Sequence, residues 1–155
     1  MSNATGTVEF FHILENLKRT KRTGWVDHDV RGPESIADHM HRMGVMAMLI
    51  DDRNLSTERC IKMAIVHDLA ESVVDAMEYF RALLGDTPQA HEIYNLWQEY
   101  EDALTPEAQL VKDLDKFEMI VQAAEYEQCE YGSVFCLIFN RASKLLNVRI
   151  LPASR

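Results

Sequence analysis

Cysteine, glycine and proline are all scarce in this chain. The three cysteines, Cys60, Cys129 and Cys136, are an odd number without CxxC spacing, which excludes a closed disulfide framework and a cysteine zinc site and reads as reduced, intracellular thiols. Six glycines and four prolines punctuate the sequence so sparsely that helices should dominate. No apolar run approaches the roughly 18 residues of a membrane span. Residues Met1 to Thr7 also lack the basic start and apolar stretch of a signal peptide, so the expectation is a protein of the cytosol or nucleus with no membrane partner. Positive charge is short as well. Sixteen Lys+Arg against 25 Asp+Glu give a net charge of -9, which argues against a protein that coats a nucleic acid polymer.

What is present is an ordinary globular composition, 47% hydrophobic and 26% charged over 155 residues, which excludes intrinsic disorder. A chain of this size buries about 70% of its unfolded surface, enough for one domain with a real core. The apolar positions recur at three- and four-residue steps. Phe10, Ile13, Leu14 and Leu17 predict a first helix, and a second runs from Pro33-Glu34 to about Ile50 with Ile36, Met40, Met43, Ala47 and Ile50 inward. Ser56 or Thr57 caps a third, carrying Ile61, Ala64, Ile65 and Leu69 to about Glu71 or Ser72. A short helix spans Asp75 to Leu84, and Thr87-Pro88 and Thr105-Pro106 each open another. The last is the longest, with Leu110, Leu114, Phe117, Ile120, Val121 and Ala124 on one face. Met40, Met43, Met46, Met48 and Met63 read as core filling. Beyond Gly132 the helical texture is lost, and Val134 to Phe139 is a continuous apolar run.

Four residues carry the chemical signal: His39, the adjacent His67-Asp68, and Asp115. Two imidazoles and two carboxylates suit a divalent transition ion or Mg²⁺. Neighbours on a helix point about 100° apart, so His67 and Asp68 reach one ion only near a helix end. Singly, His39 reads equally as a satisfied core histidine and Asp115 as a solvated or capping carboxylate.

The combination resembles the HD-domain phosphohydrolases, in which a first His, a His-Asp pair and a distant Asp, all on helices, bind one metal. The stretches Lys21 to Val26, Pro33 to His39, Val66 to Glu71 and Leu110 to Asp115 are similar to the HD-domain 5′-deoxynucleotidases within that group. The resemblance covers roughly residues 8 to 131. It implies an all-α, compact helical bundle, an HD domain over residues 1–131 and a divergent tail over 132–155. It further implies hydrolysis of deoxyribonucleoside 5′-monophosphates with Mn²⁺, Co²⁺ or Mg²⁺ held by His39, His67, Asp68 and Asp115, and an expected homodimer. Glu71, four residues after His67 and three after Asp68, would share their helical face and position the attacking water. Its other reading is a solvent-facing glutamate. Lys18 to Arg31 holds five basic and two acidic residues, a local excess that attracts a phosphate monoester. By the resemblance Arg22 contacts the phosphate and Trp25 the sugar, where an indole walls off a ribose 2′-hydroxyl. Without it, the segment reads as a solvated basic loop anchored by a tryptophan. His41 and Arg42 read as surface or packing residues, and Trp97 and Tyr100 as the apolar side of a helix.

The chain departs from the pattern in one place beside the motif. Family members follow the His-Asp-x-x-Glu element with a Gly-Asp-Ile-or-Leu-x-Pro turn, whereas here Glu71-Ser72-Val73-Val74 runs directly into Asp75-Ala76-Met77-Glu78. The acidic residue of that turn is missing, with Asp75 a candidate substitute in a different register. The chain thus reads as a shortened or variant member. The rival to an active hydrolase is a binding or dimerisation module that has lost turnover.

Overall fold

The computed structural model describes residues 4–72 and 76–131, with side chains to residue 127. Its helices are α1 (Ala4–Ile13), α2 (Glu15–Arg19), α3 (Thr23–Asp27), α4 (Ile36–Ala47), α5 (Thr57–Val66), α6 (Ala76–Leu84), α7 (Pro88–Asp102) and α8 (Pro106–Tyr131), with a 3₁₀ turn at Leu69–Ser72. The fold is all-α, as the sparse turn residues require. Asp75, the Val134 to Phe139 run and the remainder of 132–155 lie outside the described residues.

Local chemistry sets most boundaries. Ser35 accepts a hydrogen bond from the Asp38 backbone N–H, and the Asp38 carboxylate accepts one from the Ser35 N–H at 2.9 Å, a reciprocal capping box. That box starts α4 at Ile36, so the expected start at Pro33-Glu34 is corrected: those two residues lead into the cap. Ser35→Ala should cost about 1 kcal/mol, read as a fall of roughly 2–4 °C in a thermal melt. Ser56 and Thr87 cap α5 and α7 through their hydroxyls, and Pro88 opens α7. Helix α7 ends on Ala103, a non-glycine residue at φ 53°, and the Thr105 hydroxyl then accepts from the Ala108 N–H of α8 at 3.1 Å.

The core lies between α4, α5 and α8, with α7 against α5 and α8 and with α1 on α6. Ile36, Met43, Met63, Cys60, Val111 and Leu114 are buried in it, and Phe10 meets Phe80 edge-on at 4.9 Å on the α1–α6 side. The whole expected inner face of α4 is buried. Elsewhere the pattern is revised. The first helix is two, broken at Leu14, so Ile13 and Leu14 are only half-buried. Ile65 and Met48 are exposed, because Ala64 and Met63 on α5 and Ala47 and Met43 on α4 hold the inward positions. Ile120 and Val121 are half-buried, because Glu118 and Gln122 occupy the innermost stripe of α8.

Candidate active site

Three pieces of local structure converge on one point. Helix α5 ends at Val66, with His67 as its C-cap, and the chain then turns through Asp68 into the 3₁₀ turn. Adjacent side chains therefore need not diverge as they would within a helix, and His67 Nε2 lies 3.3 Å from Asp68 Oδ2. The same break means that Glu71 stands on the 3₁₀ turn and not on the helical face of His67, as the sequence had suggested. His39 comes from the inner face of α4 and Asp115 from α8. His39 Nε2 is 3.2 Å from Asp115 Oδ1 and 3.8 Å from Asp68 Oδ2.

Arg22 is brought in by the segment before α4. The Arg22 N–H donates to Glu34 O, the Ile36 N–H donates to Thr20 O, and Lys21 bridges Ser35. This brace sends the guanidinium to Asp68 Oδ2 at 3.1 Å and Asp115 Oδ1 at 3.5 Å, where it offsets their charge. Trp25 on α3 donates its indole N–H to Glu34 at 2.9 Å and stands edge-on to Tyr126, ring centroids 5.4 Å apart. The Tyr126 hydroxyl accepts the Glu34 N–H at 2.8 Å. A cleft of about 380 Å³ is lined by Arg22, Trp25, His28, Asp68, Glu71 and Asp115, among others.

The protonation pattern is dictated by the partners on the far side of each ring. A carbonyl can only accept, so His67 Nδ1, 2.9 Å from Ala64 O, carries the proton. His39 Nδ1 likewise donates to the Glu118 carboxylate at 2.6 Å. Both imidazoles are buried, and each Nε2 faces carboxylate oxygen, His39 toward Asp115 and His67 toward Asp68. In the neutral rings that ligation requires, both Nε2 lone pairs would face the carboxylates, and His39, His67 and Asp115 form a cluster whose donor atoms all lie within 4.8 Å of one another. A site of that make-up fits a divalent cation held by nitrogen and oxygen. A second grouping, Glu34 with His39 and Glu118, shares His39, whose nitrogen on that side is occupied by a proton.

Charge in the site is strongly coupled. Burial opposes charge on His39, yet the Asp115 and Glu118 carboxylates outweigh it and raise its pKa to about 9. Burial likewise works against ionised Asp68 and Asp115, but the two imidazoles hold both carboxyls below the usual range, assisted by Arg22 at Asp68 and by the Tyr100 hydroxyl at Asp115. Glu71 is shifted the other way: partial desolvation at the cleft wall, then the Asp68 charge, push it up.

Two participants escaped the sequence reading. Tyr100, part of the buried side of α7, donates to Asp115 Oδ2 at 3.0 Å and lays its ring 4.8 Å from that of His67. Glu118 is fully buried behind His39. It follows Val111 and Leu114 at helical spacing, but a glutamate there, like Gln122 after it, reads in the sequence as a break in the apolar stripe. Arg42, read as a surface or packing residue, is half-buried and bonded to Gln122 at 2.8 Å and Glu125 at 3.0 Å.

Comparison with known proteins places this geometry. An HD domain family model matches residues 14–75 and 73–148. Its two segments overlap at 73–75, and its second runs past residue 131. A zebrafish (Danio rerio) relative, 5′-deoxynucleotidase HDDC2, is 46% identical over 142 residues, covering 79% of this chain and 70% of its own. The fission yeast (Schizosaccharomyces pombe) 5′-deoxynucleotidase hdd1 is 45% identical, covering 90% of this chain and 81% of its own. Its alignment extends over 161 residues against the 155 of this chain, so that relative carries residues with no counterpart here. The solved structure of the HD domain-containing protein YGK1 superposes with a TM-score of 0.67 at 31% identity, covering 93% of this chain and 85% of its own. With the family model spanning most of its length and close relatives covering four-fifths of it, this chain belongs to the HD domain family, beside relatives named 5′-deoxynucleotidases.

Proposed function

We propose that this chain is a metal-dependent phosphoric monoester hydrolase that converts deoxyribonucleoside 5′-monophosphates to deoxynucleosides and phosphate. The observation that carries the reading is the pair of buried Nε2 atoms, 3.2 Å from Asp115 Oδ1 and 3.3 Å from Asp68 Oδ2, whose two carboxylates line a cleft shared with an arginine and a tryptophan. His39, His67, Asp68 and Asp115 would hold the cation, with Mn²⁺, Co²⁺ and Mg²⁺ the candidates for a mixed imidazole and carboxylate set. Such an ion, when bound, supplies a more acidic water and neutralises charge on phosphoryl oxygens.

The chain's own residues do the rest. Arg22 presents a guanidinium at the cleft wall, suited to forked hydrogen bonds with a phosphate monoester. Glu71 faces the same cleft and accepts a proton from the attacking water as the water oxygen bonds to phosphorus and the bond from phosphorus to O5′ breaks, and O5′ takes up a proton to leave as the deoxynucleoside hydroxyl. Trp25, fixed by Glu34 and Tyr126, forms a rigid wall that disfavours a 2′-hydroxyl. The test is phosphate release from the four common deoxynucleotides and their ribose counterparts with Mn²⁺ or Co²⁺. Release from none of the eight would sink the hydrolase reading, and nucleotide binding without turnover would mark a binding module.

Two further outcomes are expected. Trp25→Ala should lower the preference for deoxy over ribose substrates by roughly tenfold, read as the ratio of kcat/KM values. Because Glu71 is pushed above the ordinary glutamate range, its basic form is lost on acidification sooner than that of a free glutamate. The acid limb of the pH–rate profile should therefore fall above about pH 4.3, and Glu71→Gln should remove that limb along with most of the activity.

The buried free thiol of Cys60 agrees with a reducing compartment, the cytosol or nucleus. Exposed Val45, Met48 and Leu49 near the end of α4, with Ile65 of α5, form apolar surface that suits a homodimer. Light scattering on the purified chain tests it.

A further inference from the structure

Glu118 is unlike every other carboxylate described here. It is fully buried, 0% exposed, on the face of α8 that also carries Val111, Leu114 and Gln122. An ionised carboxylate in such a place is costly unless compensated, and an apolar side chain would commonly be as stable or more so. Its compensation is one hydrogen bond, from His39 Nδ1 at 2.6 Å to Oε2, and one ion pair, from Arg42 Nη1 at 3.4 Å to Oε1. Arg42 is itself held by Gln122 and Glu125. Glu118 does not line the cleft.

We infer that Glu118 is a positioning residue that keeps His39 in the one tautomer able to ligate. The inference rests on the reading of His39 as a metal ligand. A neutral imidazole carries its proton on either nitrogen, and the partner of each nitrogen decides which. On the Nε2 side stand Asp115 Oδ1 at 3.2 Å and Asp68 Oδ2 at 3.8 Å, both acceptors. Without an acceptor at Nδ1, those carboxylates draw the proton to Nε2 and the lone pair turns away from the cluster. Glu118 competes for that proton from behind. Arg42 braces the carboxylate, so the ring is also fixed in orientation.

The experiment is a titration with Co²⁺, followed by its visible absorption, on the wild-type chain, Glu118→Gln and Glu118→Leu, with a thermal melt of each. Glu118→Leu should bind Co²⁺ roughly tenfold to a hundredfold more weakly than wild type. Glu118→Gln, whose amide oxygen still accepts from Nδ1–H, should fall between the two, a rescue that a purely structural role would not produce. A folded Glu118→Leu binding Co²⁺ within about twofold of wild type overturns the inference, since second-layer ligand partners ordinarily exceed that. If Glu118→Leu does not fold, Glu118→Met, unbranched and equally without an acceptor, replaces it, and an affinity within about twofold of wild type there overturns the inference equally. Failure of the wild-type chain itself to bind Co²⁺ would instead overturn the metal reading on which the inference rests.

Discussion

Asp68→Asn should abolish most phosphate release, by about 10³-fold or more in kcat/KM, while leaving the helices intact. The substitution keeps the shape of the side chain and removes its charge. Asp68 Oδ2 is the atom on which the site converges: Arg22 Nη1 at 3.1 Å, His67 Nε2 at 3.3 Å and His39 Nε2 at 3.8 Å all face it. A neutral amide cannot balance an arginine and a divalent cation together, and its NH₂ group repels both. Co²⁺ affinity should fall with activity. Asp113→Asn provides the control, because Asp113 lies two residues before Asp115, points to solvent and pairs with Lys116. If Asp68→Asn retained a tenth of wild-type turnover, the proposed ligand set would be wrong.

The largest effect on stability is expected from Phe80→Ala. Phe80 is among the largest fully buried side chains, on α6, and its ring meets Phe10 of α1 edge-on at 4.9 Å and 84°. Truncation loses the transfer free energy of the ring and leaves a cavity, together about 3–5 kcal/mol. A domain of this size has only about 5–15 kcal/mol in total, so the melting temperature should drop by about 6–20 °C, at roughly 2–4 °C per kcal/mol. A shift under about 2 °C would mean that the α1–α6 packing lies outside the cooperative core.

The residues differ in how openly the sequence displayed them. The inner face of α4 was fully legible, because Ile36, Met40, Met43 and Ala47 repeat at the helical period and every one is buried, as is Ile50 just beyond the helix. Ser56, Thr87 and Thr105 announced helix starts by cap chemistry that acts within three residues. Glu118 and Tyr100 were not legible: a glutamate in an apolar stripe reads as an interruption, and the Tyr100 hydroxyl shows its purpose only once Asp115 is opposite it. The break after Val66 was equally hidden. Apolar spacing alone continued that helix to Glu71, whereas the chain turns at His67-Asp68.

The sequence by itself determined the helical class and most of the caps, and by resemblance it pointed to the proposed set His39, His67, Asp68 and Asp115 with Arg22, Trp25 and Glu71. Those signals are local or lie in short motifs, so they survive without coordinates. Only the tertiary structure decided that Arg22 reaches Asp68 across 46 residues and Asp115 across 93, and that Glu118 stands behind His39. Contacts at such separations follow from how α4, α5 and α8 pack. Hydrophobic periodicity states which face of each helix turns inward, but not which polar atom it meets there.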